Sequence, residues 1–271
     1  MTVELLIGTQ GWEYGAWVGP FYPRGTKPGE MLGVYGRAFP TVEVVSTAYG
    51  LPSDPAVAGW RRDTPPAFEF ALRLPQVITH ERRLTDADKL VRRFVDRVSP
   101  LEDRLGPILI QMSPAFKAGG GNQTVLEKFL GELPSGFRWA VEFRDPGWTT
   151  PAVSDLLRRR NVATVLADGR WIRREQMMEL AIEPTADFAY VRWLGAGKRL
   201  VDFSYVQLER EREIETWADT VRTLASRVGK MYGYFSNHFQ GHAPQSARAL
   251  QRLLGQEAVS PDALREQAEL F

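Results

Sequence analysis

Short apolar runs recur along almost the whole chain, and each ends in polar or glycine-rich residues. There are eight, at 5–8, 42–45, 68–72, 108–111, 139–143, 163–167, 189–193 and 231–235. Most are continuous rather than alternating, the pattern of a parallel strand covered on both faces. The second run contains Glu43, and a charge inside such a run predicts a side chain aimed into a cavity. Helical patterns fill the gaps, at 28–38, 55–62, 86–101, 123–133, 151–160, 208–227 and 244–254. Eight strands separated by helix-length segments predict a single (β/α)8 TIM-like barrel, an α/β fold whose chemistry sits where the strands end.

Local signals refine this layout. Ser53-Asp54-Pro55 and Thr150-Pro151 place a capping side chain just before a proline, which marks helix starts. Gly106, Gly136 and Gly229 fall where helices should stop ahead of the next strand. The sixth helical segment, 171–180, is polar-rich and runs into Glu183-Pro184-Thr185, so an irregular unit is expected there. Gly119-Gly120-Gly121-Asn122 reads as a flexible loop; it lacks the Gly-Lys-Ser/Thr ending of a phosphate-cradling loop. An extra helix at about 260–271 should close the bottom of the barrel or pack outside it, within one domain spanning 1–271.

A chain of 271 residues with 44% hydrophobic and 25% charged residues suits one such barrel with a sizeable core. Its net charge of +1 argues against a surface built for long-range attraction to nucleic acid, though balanced totals leave room for a local basic funnel. Arg greatly outnumbers Lys, and Arg is the better fork for carboxylate or phosphate. With no cysteine, thiolate nucleophiles, disulfides and cysteine-ligated metals are excluded. No secretory leader and no membrane span is apparent, so a cytoplasmic protein is expected. Neither a cofactor nor an oligomeric state is indicated.

A closed barrel would gather the residues at the strand ends on one rim. These include Trp12, Tyr49, Arg73 with Thr79 and His80, Gln111, Glu142 and Arg144, Asp168, Arg192, and Asn237 with His238 and His242. Trp139, Val141 and Phe143 suit the helix-facing side of their strand, which leaves Ala140, Glu142 and Arg144 for the interior. Such a carboxylate–guanidinium pair would serve either as acid/base and anion clamp or as an ion pair fixing the core. His238-x-x-x-His242 has metal-ligand spacing, but Gly241 and Pro244 place it in a loop. His238 is therefore expected at the rim as acid/base or ligand donor. The loops Gly195-Ala196-Gly197-Lys198-Arg199 and Gly241-His242-Ala243-Pro244 occupy the usual phosphate positions of this architecture.

Several ordered segments resemble the YecE-like proteins, domain-of-unknown-function family 72. They are Ile7-Gly8-Thr9-Gln10-Gly11-Trp12, Gly19-Pro20-Phe21-Tyr22-Pro23, the stretch from Thr41 to Tyr49, and Pro75-Gln76-Val77-Ile78-Thr79-His80. Three more follow: Val141 to Trp148, Tyr190-Val191-Arg192-Trp193, and Tyr234 to Pro244. The resemblance implies a TIM-like barrel, loosely similar to the endonuclease IV and xylose isomerase barrels, and no established activity. This chain departs from the pattern at Val45, Ala48, Leu194 and Ser236, where Asn, Phe, His and Asn are usual.

Three functions are open from the sequence. The first is an enzyme acting on an anionic, phosphate- or carboxylate-bearing substrate. In it Glu142, His238 and Asp168 would be catalytic, while Arg73, Gln111, Arg144, Arg192, Asn237, Trp12 and Tyr49 would bind substrate. The second is a metal-dependent phosphodiesterase of endonuclease IV type, with one metal on His238, Glu142 and Asp168; three histidines are too few for a three-metal cluster. The third is a non-catalytic protein that binds a nucleotide or nucleic-acid fragment through Arg and aromatic side chains.

Overall fold

The computed structural model describes residues 3–195, 197 and 200–268. Eight parallel strands close in sequential order into a barrel: β1 (Glu4–Gln10), β2 (Thr41–Val44), β3 (Glu69–Arg73), β4 (Leu105–Gln111), β5 (Trp139–Glu142), β6 (Ala163–Asp168), β7 (Phe188–Trp193) and β8 (Lys230–Phe235). All eight predicted runs form these strands. Around them lie α1 (Met31–Ala38), α2 (Asp54–Arg62), α3 (Asp88–Val98), α4 (Asn122–Glu132), α5 (Pro151–Arg159), α6 (Arg174–Ala181), α7 (Glu211–Ala225), α8 (Asn237–Gln240), α9 (Ala243–Leu253) and α10 (Pro261–Ala268). No described helix is long and apolar enough to cross a membrane.

The expected caps form: Ser53 accepts from the Ala56 amide and Thr150 from the Val153 amide. Some boundaries differ for local reasons. The third predicted helix stops at Val98, because Pro100 cannot continue it, and a 3-10 turn follows to Arg104. Gly106 lies inside β4 rather than ahead of it, and a Cβ there would come within 3.1 Å of the Phe70 carbonyl oxygen. The sixth segment, expected to be irregular, forms α6. After β3 the chain makes a π-helical turn, Val77–Glu81, which no apolar period predicts.

Alternation along each strand divides the core in two. One layer lies between sheet and helices. The other fills the barrel, where Ala71, Ala140 and Ala163 make room for Phe188, Tyr190, Tyr232 and Tyr234 from β7 and β8. Small side chains on one wall and aromatics on the other fill the lumen, so the barrel is packed rather than a pore.

The seam between β1 and β2 is completed by a side chain. The α1 residue Tyr35 sends its hydroxyl between the strands, donating to the Thr41 carbonyl at 3.0 Å and accepting from the Thr9 amide at 2.9 Å. Gly8 permits this approach: a Cβ there would lie 2.0 Å from the Thr41 oxygen.

Candidate functional site

The strand register carries polar side chains into the C-terminal end of the barrel. Gln10 pairs in register with Glu43, and Gln111 with Glu142. Arg192 follows the inward Tyr190 by two positions, so it points inward as well. Only 2% of Arg192 is exposed, and it bridges two carboxylates. Its Nε and Nη2 donate to Glu43 at 2.8 and 2.7 Å, and its Nη1 donates to Glu142. Tyr190 adds a hydroxyl donation to Glu43 at 2.8 Å. With its amide oxygen turned toward Arg192, Gln10 accepts from Nη2 and Nε at 3.1 and 3.2 Å.

Glu142 is the hinge between this buried pair and the open mouth. Gln111 Nε2 donates to it at 2.9 Å and Arg144 Nε at 3.1 Å. Burial alone would raise its carboxyl, but Arg192, then Arg144, and hydrogen bonds from Arg192 and Gln111 hold it down at about 2. It is therefore a fixed negative charge at neutral pH. Burial opposes the charge on Arg192 too, yet Glu142 and Glu43 outweigh it and raise that group.

Arg73 differs from its neighbours. It lies at the end of β3, 8% exposed, and its Nη2 donates to Gln111 Oε1. Its Nε is buried without a hydrogen-bond partner, and no ion pair to a carboxylate reaches it among the described residues. Burial, and next the charge of Arg192, push its guanidinium down from the usual arginine value. The cluster thus holds three guanidiniums (Arg73, Arg144, Arg192) against two carboxylates (Glu43, Glu142), an excess of one positive charge. Arg144, one-fifth exposed, continues outward to the ring of Trp171 at 5.9 Å, which Arg170 also covers at 4.4 Å.

Not every predicted site residue joins this cluster. Asp168 follows the inward Val165 and Ala167 but itself faces the helix layer. There its Oδ2 accepts from Trp217 Nε1 at 2.7 Å and Arg174 Nε at 2.9 Å. Asn237 accepts from Trp17 Nε1 at 3.2 Å and the Ala243 amide at 3.0 Å, which ties the first loop to α9. Trp12 packs its ring against Trp60. Tyr49 stands 75% exposed just beyond β2. His238 is exposed on α8 with its ring edge-on to Phe203, while His242 is buried, its Nδ1 2.8 Å from the Phe203 carbonyl oxygen. Hence Glu142, Arg144, Arg192, Arg73 and Gln111 are brought together; His238 and Asp168 are not brought to them. Among the described residues no three His, Asp or Glu side chains are grouped as metal ligands. In the loop after β7, Ala196, Lys198 and Arg199 lie outside the described residues.

Two residues carry little signal in the sequence. Glu43 is marked by its charge inside an apolar run, but its partner, five strands further along the chain, carries no local signal. His80 reads only as a strand-end residue. It sits half-buried on the π-helical turn, Nδ1 2.8 Å from Thr79 Oγ1, and feels Arg144, Arg73 and Glu142.

The family described as protein of unknown function DUF72 matches residues 6–269 of the chain. The YecE protein of Escherichia coli K12 is 32% identical over 61% of this chain; the match spans 60% of that protein's length. YunF of Bacillus subtilis is 22% identical, covering 92% of this chain and 94% of its own. Among solved structures, a DUF72 family protein of Thermotoga maritima superposes with a TM-score of 0.80 at 28% identity, covering 93% of this chain and all of that one. A DUF72 family protein of Enterococcus faecalis shares the fold, with a TM-score of 0.74 at 18% identity over 93% and 96%.

Proposed function

The chain belongs to the DUF72 family of proteins of unknown function, and for this member we propose an enzyme that acts on an anionic substrate at the C-terminal mouth of the barrel. One observation carries this reading: Arg73 is a buried guanidinium with an orphaned Nε and no carboxylate partner among the described residues. Leaving such a group unpaired is costly, and a carboxylate or phosphate oxygen would relieve that cost with a charge-assisted hydrogen bond. Arg73 and Arg144 receive the anion, and Gln111, held by both Arg73 and Glu142, orients it. Glu142 and Arg192 keep this frame rigid and charged, so the donors are aimed before substrate arrives. Glu142 acts as this anchor rather than as a proton donor, because its carboxyl is ionised far below neutral pH.

Thermal unfolding in sulfate and in malonate tests the reading and separates phosphate-like from carboxylate ligands. A tenfold excess over Kd adds about 1.4 kcal/mol, a readable rise in Tm. Arg73→Ala should abolish the rise; a rise of equal size in that variant overturns the assignment.

A second reading draws on the ledge of Trp171 between Arg144 and Arg170. An aromatic face beside guanidiniums would take the base of a nucleotide whose phosphate lies on Arg73, with or without turnover. Nucleotide-dependent quenching of tryptophan fluorescence that is lost in Trp171→Ala would favour it.

A further inference from the structure

The loop from β3 to α3 contains two kinds of unusual backbone. It opens with the π-helical turn Val77–Glu81, a rare form that is frequent at functional sites. Next come three non-glycine residues with left-handed φ: Arg83 at 50°, Leu84 at 71° and Asp86 at 48°. Conformations of this kind cost of order 1 kcal/mol each and persist where the surroundings impose them. The turn follows the C-terminal end of β3 and carries a half-buried imidazole, that of His80, within the electrostatic reach of Arg144, Arg73 and Glu142.

Resting on the anion-binding reading above, we infer that His80 is the proton-transfer group of the mouth, exchanging a proton with the molecule held on Arg73 and Arg144. In the tautomer whose Nδ1–H donates to Thr79 Oγ1, Nε2 keeps its lone pair for the ligand's proton. In the forward direction an O–H or C–H bond of the bound anion breaks and its proton forms a bond to Nε2. The electron pair stays on the ligand, where the two guanidiniums stabilise the added charge.

The charged groups facing His80 are Arg73 on β3 and Arg144 and Glu142 at the end of β5. Burial, then the two arginines, lower the imidazole's pKa against the weaker opposing pull of Glu142. The ring is therefore neutral at neutral pH and ready to accept a proton. An anion that neutralises Arg73 and Arg144 removes the arginines' share of that suppression. Binding the anion and protonating His80 thus favour each other.

Sulfate is the probe, since it stays doubly ionised through the neutral range and any proton taken up belongs to the protein. Its affinity should fall as pH rises, by up to about tenfold per pH unit, and the slope should vanish in His80→Gln. In wild-type protein with 13C-labelled histidine, sulfate should raise the pKa of the His80 resonance; this readout requires no variant to fold. An unchanged slope in His80→Gln, or an unmoved His80 resonance while sulfate binds through Arg73, overturns the role and leaves the anion site standing. Sulfate that fails to bind, or binds equally to Arg73→Ala, overturns the anion site and this role with it.

Discussion

Arg192 grips Glu43 through two contacts, at 2.8 and 2.7 Å, although 149 positions separate them in the chain. The same guanidinium reaches Glu142, so one cation joins two carboxylates that are almost wholly buried. Removing it leaves Glu43 without an ion-pair partner in the barrel and Glu142 with Arg144 alone. Arg192→Ala should therefore cost about 3–5 kcal/mol in urea unfolding. Arg192→Lys should recover little, because an ammonium lacks the planar fork that holds two carboxylates together.

Acid should expose the contribution of Glu142. Its carboxyl lies at about 2 in the folded protein against an ordinary 4.5. A depressed folded value means stabilisation that is complete above 4.5 and lost as pH falls toward 2. That difference corresponds to about 3 kcal/mol. Unfolding free energies of wild type and Glu142→Gln, measured down this range, should converge by about that amount as pH drops.

Asp168 is expected to matter for stability and not for ligand. Its oxygen Oδ2 takes hydrogen bonds from Trp217 and Arg174 within the helix layer. Asp168→Asn should lower stability by about 2 kcal/mol, while sulfate affinity stays unchanged. A loss of sulfate binding without a loss of stability would return Asp168 to the site.

Gly8 should tolerate no side chain. An alanine Cβ would stand 2.0 Å from the Thr41 oxygen, a backbone atom that cannot step aside. Gly8→Ala should cost about 3 kcal/mol or more, read as a lower Tm or as failure to accumulate folded protein.

The barrel was legible because its strands are covered on both faces and so read as unbroken apolar runs. The interior placement of Ala140, Glu142 and Arg144 was legible too, since bulky Trp139, Val141 and Phe143 claim the other side. Asp168 was not. Val165, Leu166 and Ala167 are apolar on both faces, so nothing in the sequence says which side the next residue takes. Nor could the Arg192–Glu43 contact be read, because it depends on how β2 and β7 lie across a closed ring. His80 escaped assignment for another reason: the π-helical turn follows none of the periods by which helices and strands announce themselves. His238 and His242 share a short stretch, but the fold turns one outward and buries the other.

The phenol of Tyr35 gives the barrel an unusual joint. Because that oxygen bridges Thr9 and Thr41, the first helix is stitched into the sheet rather than merely laid upon it. Lifting the helix and unzipping the first two strands are accordingly one motion. The exchange rate of the Thr9 amide becomes a gauge of how often the ring opens.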